Sequence, residues 1–307
     1  MDNSLTIAIC TYNRAHILSH CLNSLLNQSI PSTKYSLFII DNNSTDDTQK
    51  IVTHFKNKFF DFHIFLENQQ GVSYARNRAL RECQTKWIAF LDDDAKAHPD
   101  WVATILTTIQ KNDFDAFGGP YYAWHHYGPA PRWLPEDFGT YESPQGYGLL
   151  KGDTYIPGGN SVLRCDAARS IGTFSTELGM SGNRCGYGEE THFFERMRTA
   201  GYRAGYVPQL KIDHCVLSYK YTLRWQIRSY FEYGKSAVKV GVPIKKFFPL
   251  RFLFHCGRSL LTIITYFFSL KKNEYIGRVI FKNLCPLIWD IGVLYERYTT
   301  QISRIFS

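Results

Sequence analysis

The stretch FLDDDAKAHPDW, Phe90 to Trp101, closes an apolar β-like run, Trp87 to Leu91, on three consecutive carboxylates. Ligands of open α/β sheets collect beyond the carboxyl ends of strands, so this run predicts a strand and, at its end, a place for a ligand. Asp92 and Asp94 would each offer hard oxygen donors to Mg²⁺ or Mn²⁺, ions that bridge to phosphate oxygens rather than being caged by protein alone. A nucleotide diphosphate bearing a sugar suits that chemistry. The plainer alternative is an acidic turn capping the next helix, and the surrounding motifs weigh against it.

Upstream of this stretch, strand-like and helix-like runs alternate. LTIAICTY precedes a predicted helix from about Arg14 to Gln28, YSLFIID one from about Asp46, and HIFLE one over about Val72 to Glu82. Such alternation argues for βαβ units and a mostly parallel sheet with helices on both faces. Ile17, Leu18, Cys21, Leu22 and Leu25 recur at helical spacing and predict a buried face. Ser44, Thr45, Asp46 and Asp47 read as the capped start of the second helix.

Downstream, a helix begins near Pro99 and the strand-like DAFGGP follows. Residues 121–148 then gather Tyr121, Tyr122, Trp124, Tyr127, Trp133, Phe138, Tyr141 and Tyr147 among prolines and glycines. So long an irregular segment is usually functional or disordered, and its aromatic content argues against disorder. Its rings could stack on a sugar face or roof the core. From Thr222 onward the pattern turns helical, with expected helices near Thr222–Val240, Phe247–Leu270 and Glu274–Arg297.

Charge divides the chain. Residues 215–307 hold 15 Lys and Arg against 4 Asp and Glu, whereas the residues before them are net −3. A basic, aromatic-rich tail seeks anionic lipid or nucleic acid, and the long apolar runs between its charges favour lipid over nucleic acid. Ser259 to Leu270 is too short to span a bilayer, which takes about 20 apolar residues. An amphipathic helix in the interface, with Lys245, Lys246, Arg251, Arg258, Lys271 and Lys272 toward headgroups, is the expected membrane mode. A basic helical subdomain packed on the rest is the alternative. The eight cysteines form no CxxC pair, which speaks against a zinc site or a disulfide framework. Residues 1–12 show no signal-peptide pattern, so the expected location is the cytoplasm, at the cytoplasmic face of the membrane where the tail engages it.

Together with FLDDD, six further motifs resemble the inverting family 2 glycosyltransferases of the GT-A fold. The likeness covers roughly Leu5 to Val216 and implies a catalytic domain over 1–216, with a nucleotide-binding half (1–95) and an acceptor half (96–216), followed by a basic helical region over 217–307. It implies that ICTYNR lines the nucleoside pocket through Thr11 and Tyr12, with Arg14 on the donor side and Asn13 helping to cap the first helix. In IIDNNSTDDT it assigns Asp41 to the base, uracil by default, and in GVSYARNRAL it puts Arg76 at the mouth of the site against nucleotide or diphosphate.

The same resemblance makes Asp92 and Asp94 the two ends of a DxD motif, with Asp93 reaching towards sugar or ribose. In IPGGNSVLRC it implies donor-sugar contacts from Gly158, Gly159 and Asn160. GEETHFFERMRTAGY matches a pattern whose aspartate is the catalytic base; here that position is Glu190, one methylene longer, with Glu189 beside it, and either could be the base. His214 in QLKIDHCV stands where a third metal ligand is often found, giving an N/O set suited to Mn²⁺ or Mg²⁺.

The expected activity is therefore metal-dependent, inverting transfer of a sugar from a nucleotide diphosphate to the hydroxyl of a carbohydrate or lipid-linked acceptor, as in surface polysaccharide or glycolipid synthesis. A sugar-nucleotide nucleotidyltransferase lacks its glycine-rich phosphate loop here, and an inert nucleotide-sugar-binding scaffold would have no need of all five acidic and imidazole groups. A processive synthase would carry Q-x-x-R-W, whereas Tyr221 to Trp225 reads YTLRW.

Overall fold

The computed structural model describes residues 4–152, 154–182, 184–241, 248–268 and 276–306. The chain divides into two compact units, one comprising Met1–Trp124, Gly139–Asn183 and Glu189–Cys215, the other His125–Phe138, Arg184–Gly188 and Val216–Ser307.

In the first unit, strand and helix alternate from the start: β1 (Leu5–Thr11), α1 (Leu18–Leu26), β2 (Ser36–Asp41), α2 (Thr48–Phe55), β3 (Phe62–Leu66), α3 (Val72–Glu82) and β4 (Trp87–Leu91). The short β5 (Ala95–Ala97), α4 (Trp101–Lys111), β6 (Ala116–Gly118) and β7 (Tyr121–Trp124) follow, then β8 (Gly148–Leu149), β9 (Asn160–Arg164), α5 (Cys165–Ile171), α6 (Glu189–Thr199), β10 (Ala204–Tyr206) and β11 (Ile212–Cys215).

Eight strands form one sheet in the order β3-β2-β1-β4-β9-β6-β10-β8. The β1, β2, β3 and β4 pairings are parallel, as the βαβ pattern requires, but β9 runs antiparallel between β4 and β6. Side-chain alternation sorts the core into two layers. Ile7, Ile9, Leu37, Ile39 and Ala89 pack with Leu18, Leu22, Val52, Trp101 and Ile105 of α1, α2 and α4. Ala8, Phe38, Ile40, Ile88 and Phe90 pack on the other face with Ala75, Ala79, Ala167, Phe193 and Met197 of α3, α5 and α6.

A second sheet, β5-β11-β7, lies beyond the DxD strand, and in it His214 pairs with Ala95. The expected helix α1 starts four residues late: Asn13 adopts a positive φ of 52°, and residues 14–17 form a turn instead. Asn13 does not cap that helix. Its Oδ1 accepts from the backbone N–H of Thr45 at 2.8 Å and so ties the β1 turn to the β2 turn.

The second unit is built on α7 (Leu223–Val240), α8 (Phe248–Phe268) and α9 (Ile276–Phe306). Leu134, Phe281 and Cys285 form a small core with Trp133, Phe138, Tyr221 and Tyr230, so two of the aromatic residues of 121–148 serve packing here. Helices α7 and α9 approach at Gly234 and Gly292, where an added Cβ would run into the Trp289 and Phe231 carbonyls respectively. The third helix extends past the expected end near Arg297, and it does so despite Pro286 in its interior, which removes one N–H donor. Among the described residues no helix is long and apolar enough to cross a membrane. Of the basic residues expected to face headgroups, Lys245, Lys246, Lys271 and Lys272 lie outside the described residues.

Candidate active site

Asp92 stands one residue beyond β4, where the antiparallel partner β9 has just been entered from Gly158 and Gly159. Its N–H donates to the Gly159 carbonyl at 3.1 Å. A Cβ on Gly159 would overlap the Asp92 carboxylate, and one on Gly158 would strike the Arg76 guanidinium. These glycines therefore make room for two side chains of the protein itself, a use that the donor-sugar reading did not anticipate.

Asp94 lies between β4 and β5, and its carbonyl accepts from the Cys215 N–H at 2.8 Å. That bond draws β11 alongside, so His214 Nε2 stands 3.2 Å from Asp94 and 3.9 Å from Asp92. One oxygen of each carboxylate and one imidazole nitrogen all lie within 4.8 Å of one another. Asp94 is buried while the Asp92 side chain is 39% exposed, which leaves the cluster an open side. Two carboxylates, an imidazole and room for outside oxygen donors suit Mn²⁺ or Mg²⁺.

Asp93 points elsewhere. It is buried and accepts from Arg14 Nε at 3.3 Å, so this pair, not a ribose, holds it. Burial pushes its carboxyl up to about 7, with Arg14 opposing and Asp94 adding to the rise. Thr11 is buried at the end of β1, paired in register with Asp41, and Tyr12 beyond it is half-buried.

Three expectations need correction. Arg76 is not at the mouth of the site but 5% exposed on α3, donating from Nη1 to Glu189 at 2.7 Å with Nη2 3.8 Å from Asp92. Asn160 is fully buried; its Oδ1 accepts from Trp101 Nε1, and its Nδ2 donates to the Pro120 and Leu210 carbonyls, which leaves no amide atom for a sugar. Asp41 is 2% exposed and accepts from the Ser44 N–H and from Gln49 Nε2, so both its oxygens are already engaged in its own turn.

Glu189 and Glu190 open α6, and their environments differ. Glu189 is buried against Arg76. Glu190 keeps part of its surface open, and its enclosed Oε2 has no hydrogen-bond partner among the described residues. Burial and then the neighbouring Glu189 carboxylate push the Glu190 carboxyl well above the ordinary range, with Arg76 opposing. The pair thus consists of one carboxylate fixed by a cation and one inclined to hold a proton.

Two residues to which the sequence assigned no role complete the surroundings. Tyr155 precedes the Gly158–Gly159 turn, and its hydroxyl lies 3.2 Å from that of Tyr121, whose ring is 5.7 Å from the His214 imidazole. Glu190 is one of the charges that raise the Tyr155 phenol, after burial and Tyr121. Cys10 lies near Arg76, with its thiol pushed up to about 12 by burial. Tyr155 falls just outside the aromatic segment, and Cys10 sits inside the apolar pattern of β1, so neither carried a signal of its own.

The description "Glycosyl transferase family 2" matches residues 6–172 of the chain. The chain belongs to that family. It is a glycosyltransferase, similar to the succinoglycan biosynthesis protein ExoM of Rhizobium meliloti, with 31% identity over 237 residues, 76% of this chain and 73% of that protein. Among solved structures, it resembles the mannosyltransferase PcManGT of Pyrobaculum calidifontis in complex with GDP-Man and Mn²⁺, with TM-score 0.65 at 16% identity over 95% of this chain and 87% of that one. It also resembles TarS 1–349 of S. aureus in complex with UDP-GlcNAc, with TM-score 0.58 at 14% identity over 97% and 92% of the two chains. At these identities the structural likeness speaks for the GT-A fold of this glycosyltransferase, and its site rests on its own geometry.

Proposed function

We propose that this glycosyltransferase moves a sugar from a nucleotide diphosphate, UDP by first choice, to an acceptor hydroxyl with inversion, and that it requires a divalent cation held by Asp92, Asp94 and His214. The observation that carries the reading is Arg76, whose single guanidinium spans from Asp92 of the acidic cluster to Glu189 of the glutamate pair. It supports a reading in which phosphate chemistry and proton chemistry share adjoining walls.

In this scheme Glu190 Oε2 takes the proton of the acceptor hydroxyl. The freed oxygen pair forms a bond to the anomeric carbon on one face while the bond to the β-phosphate oxygen breaks on the other, and the nucleoside diphosphate departs with that electron pair. A cation bound at Asp92, Asp94 and His214 would neutralise charge on the departing diphosphate. Arg76 keeps Glu189 paired, so the second carboxylate does not compete for the proton, and Tyr121 and Tyr155 offer rings and hydroxyls to a sugar.

The acceptor is a carbohydrate or a lipid-linked glycan of surface polysaccharide synthesis, a reading that the succinoglycan relative supports. Contact with an anionic membrane surface is supported by α8, where Leu253, Phe254, Leu260 and Leu261 are each about 60% exposed and recur at helical spacing beside the exposed Arg258. Titration with UDP, GDP and dTDP, each with Mn²⁺ and with EDTA, tests the donor reading. Metal-dependent binding of one of them supports it, and binding of none overturns it. GDP is the second choice, since PcManGT was solved with GDP-Man.

A further inference from the structure

The second unit contains a cavity of about 470 Å³ that the transfer scheme leaves without a role. Its size falls within the range of small-molecule sites. Tyr230 and Tyr233 of α7 face it, and α9 adds Phe281 and Trp289. Beside the Tyr230 and Tyr233 hydroxyls, the Cys285 thiol and His255, two full cations line this largely aromatic wall: Arg251 of α8 and Lys282 of α9.

Two carboxylates lie close by, and each has a partner of its own. The exposed Glu136 accepts from Arg278 Nη1 at 2.8 Å and also lies near Lys282. Asp290 is fully buried and accepts from Arg251 and, at 2.5 Å, from His255 Nδ1, so its charge is consumed in the packing of α8 on α9. The Arg251 side chain remains 41% exposed and lies 4.8 Å from the Trp289 ring centroid. Lys282 is exposed on the same wall, and among the described residues the lining itself holds no carboxylate, so the charged side chains that face the cavity are cations over an aromatic floor.

We infer that this cavity binds an amphiphile ending in a phosphate, its apolar chain against Tyr230, Tyr233, Phe281 and Trp289 and its phosphate on Arg251 and Lys282. Helix α8 supplies the argument for an amphiphile over a free anion. The same helix that carries Arg251 turns Leu253, Phe254, Leu260 and Leu261 outward, which gives an apolar chain a surface to arrive along. Membrane headgroups and phosphate-linked acceptors share this chemistry. The inference stands on the second unit alone, so it survives a failure of the transferase scheme.

The test is calorimetric titration of the full chain with octyl phosphate below its micellar concentration, beside inorganic phosphate, octanol and UMP. Octyl phosphate should bind more tightly than each of the others. Lys282→Glu should weaken it roughly tenfold or more, the usual loss for a charge-assisted contact. Because Arg251→Gln alone would strand Asp290, the second variant is Arg251→Gln with Asp290→Asn, which should weaken binding similarly. Metal-dependent nucleotide binding, measured on each preparation, reports separately on the first unit. Failure of octyl phosphate to saturate, equal binding by both variants, or tighter binding of UMP or inorganic phosphate would overturn the inference. Displacement of bound octyl phosphate by phosphatidylglycerol vesicles would assign the pocket to a bilayer headgroup, and retention in their presence to a single phosphate-linked ligand.

Discussion

Arg76 donates from Nη1 to Glu189 Oε1 at 2.7 Å, and both side chains are more than nine-tenths buried. Removing one partner of such a pair leaves the other charge buried without compensation, which costs about 3–5 kcal/mol. Arg76→Ala should lower stability by that order in denaturant unfolding. Arg76→Met combined with Glu189→Gln should recover most of it, because neither charge remains to be stranded. If the double variant loses as much as the sum of the singles, the two residues are not coupled and the pair does not hold the site.

Glu190 is assigned the proton because its Oε2 is uncommitted while Glu189 is held. Glu190→Gln should reduce turnover by roughly 10²–10⁴-fold with donor binding nearly unchanged. Full activity in this variant would move the base to Glu189 or remove the scheme.

The raised Glu190 pKa has a consequence for pH, with a definite sign. A base must be ionised to act, so the acidic limb of kcat should fall at higher pH than the value of about 4.3 for an ordinary glutamate. For stability, the folded state favours the protonated form. That contribution is present below about 4.3 and is lost as pH rises through the raised folded pKa. Glu190→Gln should therefore gain in melting temperature relative to wild type as pH goes from 4 to 7.5. A difference constant across that range would show that the carboxyl is not perturbed.

His214 reaches the cluster through the pairing of β11 with β5 and the Cys215 bond to Asp94, at 3.2 Å from Asp94. His214→Ala should weaken Mn²⁺ binding and Mn²⁺-dependent nucleotide binding together, and Asp94→Ala should do so more severely because it removes a charged, buried ligand. Electron paramagnetic resonance of free Mn²⁺ reads this directly. Unchanged binding in both would leave Asp92 acting without them.

Much of this was legible beforehand, and the failures have physical causes. Strand–helix alternation located α3 and β4: β4 is apolar throughout and meets both layers of the core, whereas α3 buries one face through Ala75, Ala79 and Leu80. The DxD, the glutamate pair and His214 were readable as residue types in order, since family membership constrains them. Burial was not. Arg76 and Asn160 are polar residues whose partners, Glu189 and Trp101, come from distant segments that no local pattern reports, whereas Asp41 is engaged by Ser44 and Gln49 just after it. The sequence also could not separate Glu189 from Glu190, because what distinguishes them is a guanidinium 113 positions earlier than Glu189.

The membrane contact is best tested by substitution, because α7 and α9 pack backbone to backbone at Gly234 and Gly292 and deletion of the tail would break that packing. Leu253→Glu with Phe254→Glu changes two exposed side chains and should leave stability nearly unchanged. Sedimentation with phosphatidylglycerol vesicles should then drop sharply. Equal sedimentation of variant and wild type would sink the interfacial role of α8.

Gly159→Ala offers a test of the acidic cluster that removes no ligand. The added Cβ would occupy the position of the Asp92 carboxylate, so Asp92 must swing away from Asp94 and His214 or the β9 turn must shift. Either movement spoils a geometry that tolerates little displacement, since a small misplacement near the chemistry costs on the order of 10²-fold in rate. Mn²⁺ affinity and turnover should fall together while His214 and Asp94 remain in place. The same substitution at Gly257, which like Gly159 has no positive φ and where an added Cβ would meet nothing nearby, controls for the loss of a glycine. If Gly159→Ala behaves like that control, Asp92 is not where the cation binds and the cluster must be rebuilt around Asp94 and His214 alone.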